Sequence, residues 1–382
     1  MYRLYVYKFL IDFWVIVPII VPFYKANGMN ATQILTVQAS FSLSQLLFEI
    51  PSGYFSDVFG RRITLIAAAV LMFIGVGIYA ISDSFYLFIL AELVLGCAGA
   101  MRSGTDSAIL YDYICNRSEE HRYQHFEGIA EFWARTGTAV SSVLGGLLGA
   151  FATLRFPFYV NMLSAAIMIG IGLSLKEPLR VQRRSANPVS DIISISITAL
   201  KNRRLFAAMV QMSIIFSISV TAIWGYFLQY DRYSLPIAWY GIIFAVMQMS
   251  SAFGARCTTV VGKRLGKTKM LFFINGIGLL VLLNGVVHRF PVLLICIFTH
   301  AILWGMSTPF LFELIQRQTT GDVRATTLSV SSMIGRVFTI IINPLFGYFI
   351  DRHSLRFAFV FLGGLYYSVI LLTGIRTFIL RK

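Results

Sequence analysis

Charge is scarce in this chain: 13% of its 382 residues are Asp, Glu, Lys or Arg, against roughly 25% in an ordinary soluble domain. A water-facing surface needs more, so a soluble fold is disfavoured. Acidic residues are the scarcest, 17 against 32 basic ones. Cysteine is nearly absent: Cys97, Cys115, Cys257 and Cys296 are scattered without CxxC spacing, and the one CxxxH, Cys296 to His300, offers only two ligands, which argues against a disulfide scaffold and a thiolate metal centre. They are expected to be buried packing residues, and no metal ligand set is predicted. HExxH, GxSxG and GxxxxGK[ST] segments are also missing, which argues against an intramembrane enzyme and a nucleotide-driven pump and predicts no cofactor beyond an ion gradient. What the chain has instead is apolar surface, with 57% hydrophobic residues including 33 Phe and 18 Tyr. That much aromatic surface must be buried in protein or lipid, which excludes disorder.

Crossing a hydrocarbon core of about 30 Å takes about 20 helical residues. Twelve runs meet that length, at 4 to 24, 32 to 56, 62 to 82, 85 to 112, 123 to 150, 156 to 175, 205 to 230, 236 to 262, 269 to 288, 290 to 316, 322 to 349 and 355 to 376. Ile63 to Ile81 is continuously apolar or small, whereas barrel strands alternate, so a helical bundle is predicted. The first run carries Asp12 and has no small-x-small cleavage site before Lys25, so it is expected to be an uncleaved span rather than a signal peptide.

Twelve spans put both termini on one side. Loops on that side hold 21 of the 32 Lys and Arg residues and the opposite loops hold 6, which places both termini in the cytoplasm and the chain in the cytoplasmic membrane. The net charge of +15 is therefore a topology signal rather than a nucleic-acid footprint. The longest connection, Lys176 to Arg204, is basic and broken by Pro178 and Pro188. It divides the chain into a bundle over 1–175, a cytoplasmic linker over 176–204 and a bundle over 205–382. Within the linker, Val189 to Leu200 reads as an amphipathic helix at the headgroups or, alternatively, as solvated linker.

Gly-Tyr-Phe-x-Asp occurs twice, as Gly53 to Asp57 after span two and as Gly347 to Asp351 after span eleven. Opposed internal similarity of this kind accompanies inverted repeats. The first copy continues as Val58-Phe59-Gly60-Arg61-Arg62. Gly53 and Gly60 permit close helix approach and a sharp turn, Asp57 accepts hydrogen bonds at a helix N-terminus, and the arginines fork to carboxylates. At these residues the chain resembles the major facilitator superfamily, whose signature between spans two and three is G-x-x-x-D-x-x-G-R-R/K. The resemblance implies an all-α integral membrane protein of 12 transmembrane helices, two six-helix bundles with inverted 3+3 repeats. It also implies a cytoplasmic gate latch formed by Gly53, Asp57, Gly60, Arg61, Arg62, Asp112 and Arg324. Lys263-Arg264-Leu265-Gly266-Lys267 is the second-half counterpart, without the acid. In span five, Gly137-x3-Ser141-Ser142-x2-Gly145-Gly146 is similar to the drug-antiporter motif G-x-x-x-G-P-x-x-G-G but has Ser-Ser for Gly-Pro, and close helix packing explains it equally well.

Charges at membrane depth are costly and mark function. Spans one, four and five hold Lys8, Asp12, Glu92, Arg102, Asp106, Glu127, Glu131 and Arg135, and span eleven holds Arg336. Lys8 with Asp12, Arg102 with Asp106 and Glu131 with Arg135 have i,i+4 spacing, which predicts three in-helix pairs. Burial favours a protonated carboxyl and a neighbouring arginine opposes it, so opening such a pair switches a proton on. Asp12, Asp106 and Glu131 are the expected proton-coupling groups, with Glu92 as an outer-side relay. Arg102, Arg135 and Arg336, with Gln211, Trp224, Gln248, His300 and Trp304, are the expected substrate cavity. The reading is a monomeric secondary transporter in the lipid bilayer, proton-coupled, moving a small organic molecule by alternating access. Export of a drug or metabolite is placed ahead of transport of an anion such as a carboxylate-type siderophore.

Overall fold

A computed structural model describes residues 2–116, 119–178, 202–319 and 324–372. Most of these residues are helical, with no strand among them. The helices are α1 (Tyr2–Ile11), α2 (Ile20–Ala26), α3 (Ala31–Phe59), α4 (Arg61–Ile81), α5 (Phe85–Arg102), α6 (Thr105–Cys115), α7 (Tyr123–Phe151), α8 (Phe156–Ser174), α9 (Arg203–Tyr230), α10 (Ile237–Val286), α11 (Phe290–Gln316), α12 (Arg324–Arg352) and α13 (Leu355–Leu372). Among the described residues, eight segments are long and apolar enough to cross a membrane by length and composition, one of them the 50-residue α10. α10 holds the expected spans eight and nine, bent at Gly266 (φ 73°, ψ 165°). Gly60 between α3 and α4 has nearly the same conformation, φ 100° and ψ 155°, which explains a glycine at the corresponding place in both basic turns. The expected headgroup helix at 189–200 lies outside the described residues.

The chain divides into two compact units. The first comprises Met1–Met29, Ser40–Pro188 and Leu235–Ala245, and the second Asn30–Ala39, Val189–Ser234 and Val246–Lys382.

In the first unit, two of the expected spans are not continuous helices. Span one stops at Ile11, runs without α-helix through Asp12 to Ile16, and resumes through a 3₁₀ turn at Val17–Ile19. Span four stops at Arg102 and restarts at Thr105, with Gly104 at φ 74°. Hydrophobicity hides the first break, since Phe13, Trp14, Val15 and Ile16 continue the apolar run. A break inside a membrane frees backbone groups that only protein can satisfy. The first break is closed from two sides. Asn161 of α8, fully buried, donates through Nδ2 to Phe13 O at 2.7 Å and accepts from the Ile16 N–H at 3.1 Å. Ile11 O accepts from Arg102 Nη1 at 2.7 Å and from the Trp14 indole N–H at 3.0 Å.

Small residues set the helix spacing. A Cβ at Gly137 would lie 2.2 Å from Phe9 O and one at Gly145 would lie 2.1 Å from Val15 O, so the span-five glycines let α7 touch the backbone of span one. In the second unit, a Cβ at Gly254 would stand 2.1 Å from Ile302 O and one at Gly305 would stand 1.9 Å from Ser251 O. α10 and α11 therefore meet backbone to backbone. Of the cysteines only Cys296 is buried, the other three being half-buried and all four free.

Replacing Asn161 by Ala leaves a buried N–H and a buried C=O unpaired, which costs about 1–3 kcal/mol. Thermal unfolding of the purified variant in detergent is expected at a visibly lower temperature. An unchanged midpoint would remove the clamp role. Gly305→Val forces two backbones apart and is expected to be at least as damaging in the same measurement, whereas Gly170→Ala, where a Cβ meets open space, leaves the midpoint in place.

Candidate functional site

The breaks bring the charged residues of spans one and four together, and they pair across helices rather than along them. Arg102, the last residue of α5, donates to Asp12 Oδ1 at 3.0 Å while holding Ile11 O. Lys8 Nζ sits 2.7 Å from Asp106 Oδ2, 3.3 Å from Ser107 Oγ and 3.9 Å from Glu127 Oε1. The expected in-helix pairs Lys8 with Asp12 and Arg102 with Asp106 are therefore exchanged. The cause is geometric: α1 ends one residue before Asp12, and the Gly104 turn separates Arg102 from Asp106, so neither pair shares a continuous helix face. Glu131 and Arg135 do form their i,i+4 pair, at 2.7 Å, on an exposed part of α7 with side chains 52% and 62% accessible.

Asp106 occupies the first turn of α6, where the N-terminal dipole favours a carboxylate. Lys8 is 4% exposed, so its nearest polar partners are these side chains rather than water. Beside the cluster lies a cavity of about 90 Å³ inside the first unit, walled by Tyr7, Ile11, Trp14, Phe41, Gln45 and Arg102 among others. Of the cavity residues expected from sequence, Arg102 alone belongs to this wall. Its aromatic and amide members carried no signal, because apolar residues on a membrane helix read alike whether they face lipid or a void.

Glu92, 7% exposed, accepts from the Tyr79 hydroxyl at 2.7 Å and lies 3.4 Å from that of Tyr24, and the two hydroxyls are 2.5 Å apart. It is thus set among phenols, away from the cluster on α6.

The second unit has a different interior. His300 is buried, with Nε2 3.0 Å from Ser219 Oγ and Nδ1 2.5 Å from the Tyr226 hydroxyl. Asn284 donates to that hydroxyl at 3.3 Å, and Gln229 donates to Asn284 O at 3.0 Å. Gln211 donates to Asn275 Oδ1 at 2.9 Å, which Tyr366 also reaches at 2.8 Å. Thr221 donates to Asn343 Oδ1 at 2.6 Å. Gln211 and His300 are taken up in this neutral network. Trp224, half-buried, packs on Phe227 at 6.0 Å between centroids, and Gln248, Trp304 and Arg336 are half-buried.

In the turn between α3 and α4, Arg61 Nε is 3.1 Å from Asp112 Oδ2, and Arg62 donates to Gly172 O and Leu173 O at 3.2 and 2.6 Å. The helix N-terminus is capped by Glu177, which accepts from the Arg61 and Arg62 N–H groups at 2.8 and 2.9 Å. Asp57 is exposed, and the residue that caps α4 is Glu177, which follows α8. Gly53 has open space where a Cβ would be, so it is no point of close approach. Arg324 opens α12, and its side chain is outside the described residues. In the second unit the echo of the motif is itself a cap: Asp351 accepts from the Ala31 and Thr32 N–H groups at 3.1 and 2.8 Å and from the Thr32 hydroxyl at 2.6 Å.

The chain matches the family model of the Major Facilitator Superfamily over residues 9–341. It is 23% identical over 377 residues to the class H tetracycline resistance protein of Pasteurella multocida, covering 94% of this chain and 90% of that one. A probable vesicular acetylcholine transporter of Danio rerio is 28% identical over 158 residues, 41% of this chain and only 30% of that protein. The crystal structure of the nucleoside transporter NupG superposes with a TM-score of 0.82 at 14% identity, covering 100% of this chain and 99% of that one. A multi-pass helical chain with that match over most of its length belongs to the Major Facilitator Superfamily, a family of small-molecule transporters rather than enzymes.

Proposed function

We propose that this transporter exports small, largely apolar organic compounds from the cytoplasm in exchange for protons. Alternating access of two inverted-repeat bundles in the cytoplasmic membrane performs the exchange, with the termini inside and the working unit a monomer. One observation carries the reading: the Asp12 and Arg102 pair stands at two helix breaks and beside an aromatic cavity. Protonating Asp12 cancels its attraction for Arg102, and Arg102 is also the donor that holds Ile11 O. The protonation state is thereby tied to the position of both half-helices and of the cavity wall. Export fits the name of the tetracycline resistance relative. An anionic substrate, such as a carboxylate-type siderophore, is less well served, since Arg102 and Arg135 already face carboxylates.

Tetracycline is the probe for the test. Proteoliposomes with an imposed pH gradient are expected to move it against its concentration, and a protonophore is expected to stop them. Asp12→Asn and Arg102→Ala are each expected to slow gradient-driven movement roughly tenfold, within the usual range of coupling energies. Movement that ignores the protonophore, or that both variants sustain at the wild-type rate, would contradict proton exchange through this pair.

A further inference from the structure

We propose that the cavity of the first unit is a subsite for an uncharged carboxamide carried on an aromatic ring, and that Gln45 of α3 selects it. The proposal names a substrate class for the export reading and rests on that reading only for the use of the subsite in transport.

Most polar groups of the wall are already engaged. The Tyr7 hydroxyl donates to Leu65 O at 2.8 Å, and the Trp14 indole N–H donates to Ile11 O at 3.0 Å. Arg102 uses Nη1 for Ile11 O and Asp12. The Gln45 side chain differs, since its amide makes no hydrogen bond among the described residues. It stands half-buried at the midpoint of α3 (Ala31–Phe59). An amide without partners is costly at membrane depth, and it offers donors and an acceptor side by side.

Gly99 of α5 sets where that amide lies. A Cβ at Gly99 would be 2.6 Å from Gln45 Nε2 and 3.4 Å from Phe41 Cζ, so the absence of a side chain admits both groups against α5. Gly99 and Arg102 are three residues apart on one helix face. The amide is therefore about one turn from the guanidinium.

Charge and shape then fix the class. Asp12 stands 3.0 Å from Arg102, so the pair presents no net charge and an anion is not favoured over a neutral molecule. Trp14 and Phe41 supply aromatic surface for a ring. A carboxamide accepts from the Gln45 NH₂ and donates to its carbonyl, where a ketone makes one hydrogen bond and a hydrocarbon none. An apolar void of about 150 Å³ takes a benzene ring, and the cavity measures about 90 Å³. It thus takes one end of a compound rather than a whole fused-ring molecule, and Met72 and Met168 in its wall are side chains that yield readily to a ring.

Intrinsic fluorescence of the full chain in lipid nanodiscs, titrated with benzamide, acetophenone and benzoate, tests the assignment without transport. The change abolished by Trp14→Phe reports the cavity. Wild-type protein is expected to bind benzamide about fivefold more tightly than acetophenone, a difference of one hydrogen bond, and benzoate no more tightly than acetophenone. Gln45→Leu keeps the volume and removes the polar end, so it is expected to bind benzamide and acetophenone equally. Gly99→Ala displaces the tip of a flexible side chain rather than backbone. It is expected to keep the wild-type unfolding temperature and to lose most of the benzamide preference. A cavity that binds none of the three probes, a Gln45→Leu variant that keeps the preference, or benzoate bound most tightly overturns the proposal. A Gln45-dependent preference in protein that moves no tetracycline would support the subsite and count against the export reading. Gradient-driven movement without that preference would overturn the subsite and leave the export reading in place.

Discussion

Everything in the first unit depends on how one guanidinium is used. Arg102 closes the open carbonyl end of α1 and pairs with Asp12 one residue further on. A helix that stops within a membrane leaves carbonyls that water cannot reach, and a charged donor satisfies one more strongly than a neutral group does. Asn161 then seals the remaining side of the gap. The break in span one is thus an ordered feature with its own partners, and it turns Asp12 and Trp14 away from a regular helical face.

The two units divide the labour by chemistry. Within the first, the polar interior is ionic: two cations and three acids exchange partners between α1, the α5 and α6 pair, and α7. Within the second, the described buried network joins amides, hydroxyls and one imidazole, with Gln211–Asn275, Ser219–His300, Thr221–Asn343 and Tyr226–His300 contacts of 2.5 to 3.0 Å. Ion pairs lose most of their attraction when one member is neutralised.

Much of this was legible in the sequence, though unevenly. Run lengths and the glycine-rich basic turn were readable because hydrophobic length and Gly60 are local properties. The concentration of charge on spans one, four and five was equally plain. Pairing was not. The i,i+4 rule assumes an unbroken helix, and nothing in Phe13-Trp14-Val15-Ile16 announces that α1 has ended. Gly104 gave a faint warning for span four, since glycine after Arg102 permits a left-handed turn. Asn161 and Glu177 take their roles from partners 145 and 115 residues away, and a single sequence carries no signal of such distances.

The central claim is that Asp12 and Arg102 act as one unit across two broken helices. A double-mutant cycle on Asp12→Ala and Arg102→Ala, read by thermal unfolding in detergent and by gradient-driven tetracycline movement, addresses it directly. The account predicts strong non-additivity, with the double variant scarcely worse than the more damaged single one. Losses that simply add in both readouts would mean that the two residues act independently, and the account would fail.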